Sequence, residues 1–161
     1  LKMLPGIDRP AIVAEIPAQG GSIHMLDLGA NTQATPEQLF QFAVMGSAYS
    51  RGVFHVASPR VGLMSLGEEA TKGSELVRVV NDVLRASSLN FVGNVEGRDI
   101  LRGAADVVVM DGFTGNVVLK TLEGGMRTVV AALLAAGMEG VKNRTWLFPR
   151  VRYFTSGLTC P

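Results

Sequence analysis

The sequence predicts an α/β fold, a mostly parallel sheet with helices on its faces, and three observations carry that expectation. Apolar segments of strand length alternate with longer segments whose apolar residues recur at helical spacing. The run Val107-Val108-Val109-Met110 is apolar without interruption, which suits a strand buried on both faces of a parallel sheet. Strand-like segments end repeatedly in polar, glycine-containing loops, and in such sheets ligands sit beyond the carboxyl ends of the strands.

The chain has 161 residues, the length of one domain, and a chain of that size buries roughly 70% of the surface its unfolded form exposes. Apolar residues make up 47% and charged ones 18%. That balance excludes disorder, and no apolar run approaches the ~20 residues of a membrane span, so a soluble protein is expected. The opening Leu1-Lys2-Met3-Leu4-Pro5 lacks the apolar segment of a secretion signal and reads as the interior of a longer reading frame. Cys160 is the only cysteine, so neither a disulfide framework nor a cysteine-rich metal site is available, and a reducing compartment fits. Net charge is +1, but Lys142, Arg144, Arg150 and Arg152 against Glu139 put +3 on the residues from Met138 onward. The rest of the chain is slightly acidic, which argues against a nucleic-acid binder.

In chain order, Ala11 to Ile16 and Ile23 to Leu28 read as strands joined by the turn-rich residues 17–22, a candidate hairpin. The second strand ends in Asp27-Leu28-Gly29-Ala30-Asn31. Thr35-Pro36-Glu37-Gln38 then has the chemistry of a helix start, with Thr35 as N-cap, Pro36 at the first helical position and Gln38 completing a capping box. Leu39, Phe40, Phe42, Ala43 and Met45 supply the face that packs on the sheet. A strand around Val61 and Leu63 leads into the polar loop 65–73, and Leu76 to Leu84 form a helix with a broad apolar face. Leu89 to Val92 make another strand, ending in the loop 93–99. After the apolar run at 107–110, Asp111, Gly112, Thr114, Gly115 and Asn116 form a glycine loop. Val117, Val118, Leu119, Leu122 and Met126 then recur at helical spacing.

The stretch from Ala105 to Lys120 is therefore strand, glycine loop and helix start. The first N–H groups of a helix lack internal partners and lie at the positive end of its dipole, a favourable place for an anion. Three other loops would join it at one edge of the sheet. They carry Asp27 and Asn31, then Glu68, Glu69 and Lys72, then Asn94, Glu96 and Arg98. His24, His55 and Trp146 lie outside these loops and are read as structural.

Five segments in these loops, residues 26–31, 58–69, 72–76, 90–99 and 105–124, resemble the bacterial phosphate acyltransferases of phospholipid synthesis. The match runs in order from about Gly6 to Gly125. The resemblance implies a three-layer α/β/α sandwich like that of phosphate acetyltransferases and isocitrate dehydrogenases. It implies transfer of a fatty acyl group from acyl carrier protein to inorganic phosphate, giving acyl phosphate. It further implies a homodimer in the cytoplasm, in peripheral contact with the inner face of the membrane, with no metal or organic cofactor involved. Lys72 and Asn116 take the catalytic positions; Asn31, Asn94, Glu96, Asp111, Gly112 and Gly115 line the substrate crevice. Two other readings stand beside it, a short-chain phosphate acyltransferase using coenzyme A esters and a non-catalytic fragment that binds phosphate or acyl carrier protein. The family has a further N-terminal portion before Gly6, with additional glycine motifs, so the fold is expected to be incomplete here. Residues 1–137 are read as the central part of the acyltransferase domain and 138–161 as a divergent basic and aromatic tail.

Overall fold

The computed structural model describes residues 6–137, together with the backbone of 150–153. Its centre is one six-stranded sheet in the order β4-β3-β5-β2-β1-β6. The first two strands, β1 (Ile12–Ala18) and β2 (Gly21–Leu26), pair antiparallel with Ala18 opposite Gly21. The expected hairpin forms, with both strands running farther into the turn than the expected loop at 17–22. Only Gln19 and Gly20 connect them, and Gly20 takes the positive φ of 85° that such a tight turn asks of its residues.

The remaining strands of the body are parallel. β5 (Val107–Val109) lies between β2 and β3 (Val61–Met64), and β3 pairs in turn with β4 (Phe91–Val95). The fourth strand thus sits a few residues later than the Leu89 to Val92 of the sequence reading. β6 (Arg150–Tyr153) pairs antiparallel with the outer side of β1. Nothing in the basic and aromatic pattern of the tail announces a strand there, and the rest of the tail lies outside the described residues.

Among the described residues, three α-helices cover the sheet. α1 (Pro36–Phe54) begins with the expected capping box, the Thr35 side chain accepting from the Gln38 N–H while the Gln38 side chain accepts from the Thr35 N–H. α2 (Glu75–Arg85) is capped by Ser74, and α3 (Gly112–Ala135) by Asp111. The alternation of β5 divides the core into two layers. Val107 and Val109 meet Leu39, Phe42 and Tyr49 of α1 and Val80 and Leu84 of α2. Val108 and Met110 meet Ile16, Ile23, Met25 and Leu119 of α3 on the opposite face. The result is the expected three-layer α/β/α sandwich. Among the described residues no helix is long and apolar enough to cross a membrane.

Candidate functional site

Because β2, β5, β3 and β4 are parallel, the loops that follow them emerge at one edge of the sheet. Neighbouring strands lie ~4.8 Å apart, so the four strand ends span only about 15 Å. The helices after β2 and β3 pack on one face and the helix after β5 on the other. The chain therefore leaves the sheet toward opposite faces on either side of β5, the arrangement that in open α/β sheets marks the crevice where ligands bind.

One side of that crevice is closed by contacts between the β2 loop and α3. The Asp27 carboxylate is fully buried and accepts from the N–H groups of Ile12 at 2.9 Å, Leu28 at 2.7 Å, Ala30 at 3.2 Å and Asn31 at 2.6 Å. Asn31 spends its side-chain amide on the Asp27 carboxylate at 2.9 Å and the Pro10 carbonyl at 2.8 Å. The loop so ordered holds the first turn of α3. The Gly112 N–H donates to the Asn31 carbonyl at 2.7 Å, and a Cβ on Gly115 would overlap the Asp27 carbonyl oxygen. Gly112 and Gly115 thus serve the packing of α3 onto the loop. Asn116, exposed in the second turn, lies beside Gly29.

On the other side, the Asp111–Asn116 turn follows β5 and the loop 65–73 follows β3, the strand paired with it. Asp111 accepts from the Thr114 N–H at 2.9 Å and the Thr114 hydroxyl at 2.7 Å. The Gly115 N–H donates to the Asp111 carbonyl. Phe113 is left as the residue of that turn whose N–H has no partner among the described residues. Lys72 is exposed, its N–H held by the Glu69 carbonyl at 2.9 Å and its ammonium free of ion pairs with described residues. Glu96 lies on the next strand end and is paired with Arg98 at 3.2 Å.

Asn94 is turned into the protein. It donates to the Glu69 carbonyl at 2.8 Å and accepts at 2.8 Å from Asn81, a residue of α2 that is fully buried. Sequence reasoning does not single out Asn81, although it shares the buried face of α2 with Val80 and Leu84, where a polar residue is unusual. Among the described residues no cluster of His, Cys, Asp and Glu is arranged to hold a metal ion.

A separate cavity of about 300 Å³ lies at the opposite, amino-terminal end of the parallel strands, lined by Glu15, His24, Ser50, Phe54, Arg60 and Asp106 among others. Arg60 and Asp106 form an ion pair there at 2.8 Å. Burial pushes the Asp106 carboxyl up, but hydrogen bonds from the Arg60 side chain and backbone outweigh it and leave its pKa below the usual value. Neither the ring nitrogens of His24 nor the Ser50 hydroxyl have a partner among the described residues.

Comparison with known proteins gives one consistent result. The family described as "Fatty acid synthesis protein" matches residues 1–147. The phosphate acyltransferase of Alkalilimnicola ehrlichii is 57% identical over 151 residues, which are 94% of this chain and 42% of that protein. That of Dichelobacter nodosus is 51% identical over 147 residues, covering 91% and 41%. That of Bordetella parapertussis is 58% identical over 125 residues, covering 77% and 36%. The chain spans well under half the length of the relatives it matches. Among solved structures, the EutD phosphotransacetylase from Staphylococcus aureus superimposes with a TM-score of 0.60 at 19% identity, covering 77% of this chain and 45% of that one. At that identity the likeness speaks for the fold alone. The match in sequence over nearly the whole chain, joined to the sheet order and loop placement above, means that this chain belongs to the fatty acid synthesis protein family, with phosphate acyltransferases as its relatives.

Proposed function

We propose that the carboxyl edge of the sheet binds inorganic phosphate beside an acyl thioester, and that the reaction is transfer of a fatty acyl group from acyl carrier protein to phosphate. The acyl phosphate so formed would feed phospholipid synthesis. The observation that carries this reading is the parallel pairing of β3 with β5, which sets their carboxyl ends side by side at the crevice expected there. The loop after β3 carries a lysine without an ion-pair partner among the described residues, and β5 leads into the N-terminus of a long helix with an open Phe113 N–H. The names of the relatives support the same chemistry.

A thioester carbonyl is already activated, so the protein's task is to hold phosphate against it and stabilise the charge that develops. A phosphate oxygen attacks the carbonyl carbon, the C–O bond forms, and collapse of the tetrahedral intermediate breaks the C–S bond and releases the carrier's thiolate. Lys72 would neutralise phosphate or that thiolate. Asn116 offers an amide donor to the oxyanion. Asp111 acts through its cap, since its carboxylate is occupied by Thr114. A homodimer working at the cytoplasmic face of the membrane belongs to the same reading.

Phosphate-dependent release of thiol from acyl carrier protein, compared with release from coenzyme A esters, tests it. Preference for the carrier protein is expected. Preference for short coenzyme A esters would assign the alternative substrate. Saturable phosphate binding without turnover would support a binding fragment. In a full-length protein carrying this segment, Lys72→Ala and Asn116→Ala should each lower acyl-phosphate formation by roughly a hundredfold or more, with thermal stability unchanged. Undiminished turnover in both variants would refute the assignment.

A further inference from the structure

We infer that Asn81 is a positioning residue for Lys72, acting through Asn94 and the loop after β3; the inference rests on the phosphate site proposed above. Four contacts form one chain of hydrogen bonds. Arg85 donates to the Asn81 side-chain oxygen at 3.3 Å, and Asn81 donates to the Asn94 side-chain oxygen at 2.8 Å. Asn94 then donates to the Glu69 carbonyl at 2.8 Å, and the same carbonyl accepts the Lys72 N–H at 2.9 Å.

The ends of this chain fix its direction. A guanidinium only donates and a carbonyl only accepts, so both asparagine amides are oriented without ambiguity. The Ser65 hydroxyl adds a weaker tie, donating to the Lys72 carbonyl at 3.4 Å. Lys72 itself is exposed and makes no ion pair with a described residue, so the placement of its ammonium depends on where the backbone of the loop is held. Helix α2 therefore reaches across the end of β4 to set the cation at the crevice.

Burying an amide at Asn81 in place of a leucine gives up apolar packing, and the position lies beside Val80 and Leu84 on the face of α2 turned to the sheet. Supplying a donor to Asn94 is what that amide does. Replacing it with Leu removes the donor, leaves the Asn94 oxygen unpaired and frees Asn94 to turn away from Glu69. Replacing it with Asp keeps the size and the bond from Arg85 but inverts the demand on Asn94. The Asn94 amide then turns to donate to the introduced carboxylate and abandons the Glu69 carbonyl.

The experiment is a double-mutant cycle read by inorganic phosphate binding to the chain, followed by phosphorus NMR, with amide hydrogen exchange at Lys72 measured in parallel. Asn81→Leu is expected to weaken phosphate binding about fivefold or more and to speed exchange of the Lys72 N–H. In a Lys72→Ala background the same substitution is expected to have no further effect on binding. Additive losses would overturn the proposal, because a residue with a merely structural role weakens the site whether or not the lysine is present. Should Asn81→Leu fail to fold, Asn81→Asp carries the same expectations. If the unsubstituted chain shows no saturable phosphate binding, the phosphate reading fails, and unchanged Lys72 exchange in the Asn81 variants would separately sink the positioning role.

Discussion

His24 sits on β2 with 2% of its surface exposed, its ring edge-on to Tyr49 at 5.3 Å between centroids and tilted against Phe54 at 4.2 Å. Both its ring nitrogens lack partners among the described residues, and burial lowers its pKa from 6.5 despite the opposing pull of Glu15 and Asp106. The consequence for stability has a definite sign. Above 6.5 the imidazole is neutral in folded and unfolded chains alike; below it the unfolded chain takes up a proton that the folded chain refuses, so stability falls as the pH falls toward the lowered value. His24→Phe keeps the ring packing and removes the unpaired nitrogens. It should raise stability by about 1 kcal/mol at neutral pH, and the gain should widen on acidification to about pH 5.5. Denaturant midpoints of both proteins at the two pH values check this; a gain that does not change with pH would contradict it. The sequence alone places this histidine outside the four loops, but its lack of partners depends on α1 packing against β2, which no local pattern reveals.

At the scale of one element, α3 shows how the same residue type does opposite things along a helix. Of its residues only Gly112, Gly115 and Leu119 are buried, all in the first half. Gly115 permits contact with the Asp27 carbonyl, whereas a Cβ at Gly124 would meet nothing within 4 Å. Gly115→Ala should therefore cost about 2–3 kcal/mol through overpacking. Gly124→Ala should stabilise by about 0.5–1 kcal/mol, since Ala loses less backbone freedom in a helix than Gly. Urea unfolding of the two variants reads the contrast directly, and equal effects would show that the approach of α3 to the β2 loop is looser than described. The elements themselves are largely legible in the sequence: the Thr35 capping box, the apolar run at 107–110 and the strand-then-helix alternation each reflect local chemistry. The purpose of the glycines at 112 and 115 is less so. Local sequence marks them as loop glycines, and only the approach of Asp27 and Asn31 shows that they are contact points between two loops.

Across the whole molecule, one sheet separates two cores and belongs to both. Val107 and Val109 pack toward Phe42 while Val108 packs toward Met25 and Leu119, so neither layer can dissolve without exposing the strand it shares with the other. Phe42→Ala should cost about 3–5 kcal/mol and leave a single cooperative transition, with helix content and hydrogen-exchange protection on both faces lost together. Two separated transitions would show the cores to be independent. The candidate site is legible at this scale as a set of loops, because strand ends can be read from periodicity and a parallel sheet gathers them. Its internal wiring is not, since Asn81, Asn94 and Glu69 lie far enough apart in sequence that only the pairing of β3 with β4 unites them. The short central strand has one more consequence, for how the length of this chain can vary. With three residues paired on both sides, β5 has no slack, and an insertion or deletion of one residue would exchange its two faces and displace Asp111 from its cap. Changes of length should accumulate elsewhere, at surface turns distant from the crevice, while the spacing from Asp106 to Asn116 behaves as a fixed ruler.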